Sequence, residues 1–176
     1  MIKLYIQSII SKTYDSNIYI INNEVLIDSG LNEYSTINKI SNYTNPYNIK
    51  KILLTHAHYD HFGGSQQLIN KYNTKIGICF DDKKYINNIE YSAASFFNMK
   101  LKKKIIPDFY YKNGDIISVG LDPKTNKEDY LEVIQTPGHT IGSVCFYSKE
   151  LKVLFSGDTI FKNNIGRTDF KNSCDQ

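Results

Sequence analysis

Apolar and polar positions alternate along much of this chain, dividing it into short strand-like runs, while a few stretches repeat their apolar residues at helical spacing. Residues 2–10, 17–22 and 24–28 are rich in Ile, Tyr and Val and read as strands, the last two joined through Asn22-Asn23 as a hairpin. Asp28-Ser29-Gly30 ends the third strand; an Asp entering a Gly turn is by default a loop anchor. Tyr34, Ile37 and Ile40 then recur at near-helical intervals and predict a helix over 32–43. A strand over 50–54, a helix over 62–72, a strand over 75–80 and a helix over 81–90 follow. Strands near 115–119, 129–135, 143–148 and 151–156 complete the pattern. Residues 91–113 break it, with Tyr91, Phe96, Phe97, Met99, Phe109, Tyr110 and Tyr111 interleaved with lysines. That stretch reads either as packing beneath a loop or as a flap over a site. A strand-rich opening with helices interleaved predicts an α/β (α+β) fold of two sheets face to face with helices outside. No repeat, linker or low-complexity segment divides it, so residues 1–176 are expected to form a single domain.

Composition narrows the function classes. With 41% hydrophobic residues the chain can bury a core, and disorder is excluded. The net charge is only +3 and the basic residues are dispersed, which predicts no nucleic-acid partner. The one dense run, Lys100-Leu101-Lys102-Lys103-Lys104, reads as a solvated helix face rather than an anion site. Cys79, Cys145 and Cys174 are odd in number and lack Cys-x-x-Cys spacing, which predicts reduced thiols, neither a disulfide scaffold nor a thiolate zinc knuckle. The start, Met1-Ile-Lys-Leu-Tyr-Ile-Gln-Ser-Ile-Ile10, reads as a strand rather than a signal peptide. No run approaches the ~20 apolar residues of a membrane helix. A cytoplasmic location with no membrane partner is therefore expected, and oligomeric state is left open.

The chemistry concentrates in Thr55-His56-Ala57-His58-Tyr59-Asp60-His61, which holds three of the chain's four histidines. His56 and His58 are two apart at an expected strand end, where alternate side chains point the same way and can grip one ion. Asp60 and His61 follow as the chain turns, able to serve a second ion or to position water on the first. Imidazole and carboxylate without thiolate suit Zn2+, Fe or Mn, and disfavour calcium or magnesium. His139, in Thr136-Pro137-Gly138-His139, follows the strand-like run 130–135 and is the natural third ligand of the first ion. Val153-Leu154-Phe155 delivers Ser156-Gly157-Asp158, a carboxylate able to bridge two metals.

The ordered set His-x-His-x-Asp-His, then Gly-His, then Gly-Asp resembles the metallo-β-lactamase superfamily, over nearly the whole chain. Asp158 to Phe170, with its Gly166-Arg167-Thr168-Asp169 turn, is similar to the glyoxalase II-like (hydroxyacylglutathione hydrolase-like) branch. The resemblance implies an αββα sandwich of two mixed sheets. It implies that His56, His58 and His139 hold a first metal and Asp60 and His61 a second, with Asp158 bridging and Asp60 also orienting the attacking water. One or two Zn2+ per chain are expected. The family's last histidine, from a Gly-His turn beyond a further helix and strand, has no counterpart, since no histidine follows His139. The expectation is a chain that stops before the last structural unit, through truncation, a shortened gene or divergence, and mono-metal occupancy stays open. The implied activity is metal-assisted hydrolysis of a small-molecule thioester by attack of water. Two alternatives remain: a mono-iron persulfide dioxygenase-like enzyme using His56, His139 and Asp158, and a shortened, inactive metal-binding or interaction relative. No Gly-x-Ser-x-Gly elbow offers a protein nucleophile. Arg167, the lone arginine, is expected to fork onto Asp169 or a nearby partner and hold the turn.

Overall fold

The computed structural model describes residues 5–99 and 103–174, which form two sheets packed face to face. The first sheet has six strands in sequential order: β1 (Ile6–Ile9), β2 (Ile18–Ile21), β3 (Val25–Ile27), β4 (Lys51–Leu53), β5 (Lys75–Cys79) and β6 (Phe109–Tyr111). It opens as an antiparallel meander, β1 to β3, and continues parallel from β3 to β6. The second sheet is antiparallel in the order β10-β9-β8-β7, from β7 (Ile116–Leu121), β8 (Glu128–Gln135), β9 (Val144–Ser148) and β10 (Val153–Phe155).

Two buried clusters explain the layers. One joins Ile20, Leu26, Ile52 and Ile76 of the first sheet to Ile40 of α1 (Glu33–Ser41), Phe62 of α2 (Tyr59–Phe62) and Leu68 of α3 (Ser65–Tyr72). The other interleaves Ile21, Ile27 and Leu53 with Val119, Leu131, Val133 and Phe146 of the second sheet. Alternate residues of β2 and β3 thus face different clusters, as the two-residue period requires. This is the predicted sandwich; among the described residues the helices cover the first sheet only, and Ile116, Tyr130 and Leu154 of the second are exposed. No helix of the described residues is long and apolar enough to cross a membrane.

Three elements differ from the sequence pattern. The helix expected over 62–72 is two pieces, α2 and α3, broken at Gly63-Gly64. The helix expected over 81–90 is a short 3-10 turn at Phe80–Asp82 followed by turns. There the polar side chains compete with the helix: Asn87 bonds both the N–H and the C=O of Ile105, and Asn88 accepts from the N–H groups of Glu90 and Tyr91. The aromatic run near 110 is strand β6, paired with β5, and not part of a flap. Its approach requires Gly77, where a Cβ would lie 2.2 Å from the Phe109 ring. Of the run 100–104, residues 100–102 lie outside the described residues; Lys103 and Lys104 are exposed. The three cysteines are free, Cys79 and Cys145 buried.

Candidate metal centre

The groups at the centre come from the carboxyl ends of strands, apart from Asp60 and His61, which lie on α2. Asp28 follows β3, His56 and His58 follow β4, Asp82 follows β5, His139 follows β8 and Asp158 follows β10. Because β3, β4 and β5 are parallel, their ends open on one edge of the sheet, where loops can converge on a shared site.

Four imidazoles meet there. Ring centroids of His56 and His58 are 4.7 Å apart, of His58 and His139 4.5 Å, of His56 and His139 4.7 Å and of His56 and His61 4.1 Å. One ligand atom from each of His56, His58 and His139 falls within 4.8 Å of the others, and the same holds for His56, His61 and Asp158. The two groups share a border at Asp158, whose Oδ1 is 3.3 Å from His61 Nε2 and whose Oδ2 is 3.5 Å from His139 Nε2. Asp60 stands beside the second group, its Oδ2 3.6 Å from His61 Nε2. All six residues singled out in the sequence are therefore brought together.

The hydrogen bonds behind the rings decide which nitrogen faces inward. Asp28 Oδ1 accepts from the Thr55 N–H, and Asp28 Oδ2 accepts from Thr55 Oγ1 and from His61 Nδ1 at 2.8 Å. The Thr55 hydroxyl proton is thereby used, so Thr55 Oγ1 accepts from His56 Nδ1 at 3.1 Å. His139 Nδ1 donates to the carbonyl of Arg167 at 2.7 Å. Both His56 and His139 then turn an unprotonated Nε2 into the site, and both of these buried atoms lack any hydrogen-bond partner. Buried polar atoms without partners are rare, and a metal ion is what such lone pairs can be donated to. The donor set of imidazoles and carboxylates fits a divalent metal of the zinc, iron or manganese kind.

Titration follows the same logic. Burial, then the neighbouring histidines, drives His56 well below the ordinary imidazole range, and burial takes His58 down to about 3. Burial likewise lowers His139, so these three rings are neutral at pH 7, the form that ligates. For His61 burial is outweighed by Asp28, Asp60 and Asp158, which hold it well above the ordinary value. Burial lifts Asp60 to about 6, while for Asp158 burial is overcome by His61 and His139, which bring it to about 2.

Three supporting residues escaped the sequence pattern: Thr55, Asp82 and Asn172. Asp28, by default a loop anchor and by the superfamily resemblance a support near the site, orients His61 from a left-handed backbone at φ 57°. Asp82, fully buried, accepts from the Ala57 N–H at 2.9 Å, Thr140 Oγ1 at 2.7 Å and the Gly142 N–H at 2.8 Å. It ties the His56–His58 loop to the His139 loop, although burial raises its pKa against those three donors. Asp82→Ala orphans two backbone N–H groups and is expected to cost about 3 kcal/mol in urea unfolding and to weaken metal retention.

The cavity over the centre has a volume of about 790 Å³ and is walled by Phe96, Phe97, Phe161 and Phe170, with Ser11, Thr13 and Asn17 on its polar side. Of the stretch 91–113, left open between packing and a flap, Phe96 and Phe97 line this cavity, whereas Phe109, Tyr110 and Tyr111 belong to β6 and do not. The Gly-Arg-Thr-Asp turn closes one end. Arg167 forks onto Asp169 through Nε and Nη2, at 2.8 and 2.7 Å, as its planar geometry suggested. A Cβ at Gly166 would meet the Asp158 carbonyl oxygen at 1.8 Å, so only glycine allows the turn to return against Asp158.

A family model described as the metallo-beta-lactamase superfamily matches residues 12–174. The chain belongs to that superfamily. Among its relatives, the hydroxyacylglutathione hydrolase GloC of Haemophilus influenzae is 31% identical over 150 residues, covering 84% of this chain and 66% of that protein. A hydroxyacylglutathione hydrolase of Psychromonas ingrahamii is 35% identical over 133 residues, covering 73% of this chain and 39% of that protein. This superfamily member thus spans less than two thirds of these relatives' length. The crystal structure of the B3 metallo-beta-lactamase BLEG-1 superposes with a TM-score of 0.75 at 25% identity, over 96% of this chain and 79% of that one.

Proposed function

We propose that the chain is a metal-dependent hydrolase of small-molecule thioesters, with one or two Zn2+ as its metals. His56, His58 and His139 form the first ligand set; Asp60, His61 and Asp158 form the second, with Asp158 reaching both. The single observation that carries this reading is the pair of buried, partnerless Nε2 atoms of His56 and His139, turned inward by hydrogen bonds on their opposite nitrogens. Similarity to hydroxyacylglutathione hydrolases directs the substrate class toward a hydroxyacyl thioester.

A bound divalent metal supplies Lewis acidity, polarising a carbonyl oxygen and lowering the pKa of water from about 15.7 toward about 7. The chain's own residues do the rest. Asp60, with its carboxyl lifted to about 6, is ionised at neutral pH, orients the attacking water and accepts its proton. The phenylalanine walls take up the apolar parts of an acyl thiol, and Ser11, Thr13 and Asn17 offer partners to its amides. Neither buried cysteine lines the cavity, which supports direct attack by water over a covalent route.

The test is a substrate panel run before and after chelation. Hydrolysis of a hydroxyacyl thioester that is lost on chelation and restored by zinc is expected. Oxygen uptake on a persulfide by protein carrying one iron would instead make His56, His139 and Asp158 an oxygenase ligand set. Metal uptake without turnover on any of these substrates would favour the inactive binding relative.

A further inference from the structure

We propose that Asn172 is a positioning residue that fixes the tautomer of His58, so that the segment after the Gly-Arg-Thr-Asp turn is a structural part of the first metal set. This rests on the reading of His56, His58 and His139 as that set. The side chain of Asn172 is buried, and its Oδ1 lies 3.2 Å from His58 Nε2. An amide oxygen only accepts, so His58 Nε2 carries the proton and donates, and the lone pair of His58 is on Nδ1. The three rings are then held from behind by three different acceptors: Thr55 Oγ1 for His56, Arg167 O for His139 and Asn172 Oδ1 for His58.

The opposite orientation of the amide fails on this count. Were Nδ2 turned to the ring, it would donate to Nε2 and force the proton onto Nδ1, closing that nitrogen to a metal. Asn172 Nδ2 is itself buried without a partner, so the side chain is held for its oxygen and not for a full complement of bonds. Its backbone is fixed independently, because the Asn172 carbonyl accepts from the Ile141 N–H at 2.9 Å. The flanking residues brace the same ligands: the Phe170 ring packs edge-on against His58 and His139 at 4.7 and 5.4 Å, Ser173 Oγ donates to the His139 carbonyl, and the Cys174 N–H donates to that of Gly138. The segment thus reaches back across 114 residues to the ring of His58.

Zinc affinity of the full chain, measured by competition with a chromogenic chelator, tests the role in three proteins. Asn172→Leu, which removes the acceptor at similar size, is expected to weaken binding by about 10–100-fold. Asn172→Asp, which restores an accepting oxygen, is expected to bind close to wild type. Equal affinity for wild type and Asn172→Leu would overturn the proposal, as would an Asn172→Asp variant as weak as the leucine one, since loss of packing alone would then explain both. A 15N spectrum of zinc-loaded wild type gives a readout that needs no variant to fold: the Nε2–H tautomer of His58 is expected, and the Nδ1–H tautomer would overturn the role. Wild type that takes up no zinc would overturn the metal-centre reading, and this proposal with it. Wild type that binds zinc while ignoring residue 172 would overturn the positioning role alone.

Discussion

His56→Ala and His139→Ala are each expected to strip the first metal from the protein and to lower thioester hydrolysis by about 10³-fold or more. Each substitution deletes an inward Nε2 that has no other partner, leaving the remaining two rings unable to complete a three-nitrogen set. A metal contributes several kcal/mol of charge stabilisation to such a reaction, and each 1.36 kcal/mol is tenfold in rate, which gives the size of the loss. Elemental analysis and initial rates on the same samples check it, with circular dichroism to show that the variants fold. Wild-type metal content with an unchanged rate in either variant would refute the assignment of that histidine.

Asp60→Asn separates the role of Asp60 from the holding of the first metal. Asn keeps the shape of the side chain but can neither carry charge nor accept a proton, so kcat is expected to fall by about 10²–10⁴-fold while the metal held by His56, His58 and His139 stays in place. Burial is the main cause of the raised Asp60 pKa, and the His61 beside it moderates the rise. An unchanged kcat at full metal content would make Asp60 a spectator. Loss of all metal would make it a ligand whose role in the first set is larger than its 3.6 Å distance from His61 suggests.

Much of this centre was legible in the sequence because its ligands are local. His56, His58, Asp60 and His61 fall within six positions, His139 follows a run whose alternation marks a strand and Asp158 follows a short apolar run, so the pattern of strand ends nearly draws the site. The supporting residues act over distance and leave no such trace. Asp82 sits 25 residues from Ala57 and 58 from Thr140, and Asn172 sits 114 from His58, so each looks like an ordinary polar turn residue until the fold closes. The same limit explains two of the three misread elements. A three-residue strand such as Phe109–Tyr111 is too short to alternate visibly, and its place beside Gly77 is a tertiary fact. In 81–90 the side chains of Asn87 and Asn88 bond the backbone more effectively than a helix would, which periodicity does not register.

The most direct test of the metal-dependent thioesterase account is the rate of hydroxyacyl thioester hydrolysis by one preparation measured as purified, after chelation and after zinc is returned. The account predicts measurable hydrolysis, its loss on chelation and its recovery with zinc to at most two ions per chain. Hydrolysis that survives complete removal of the metal would contradict it.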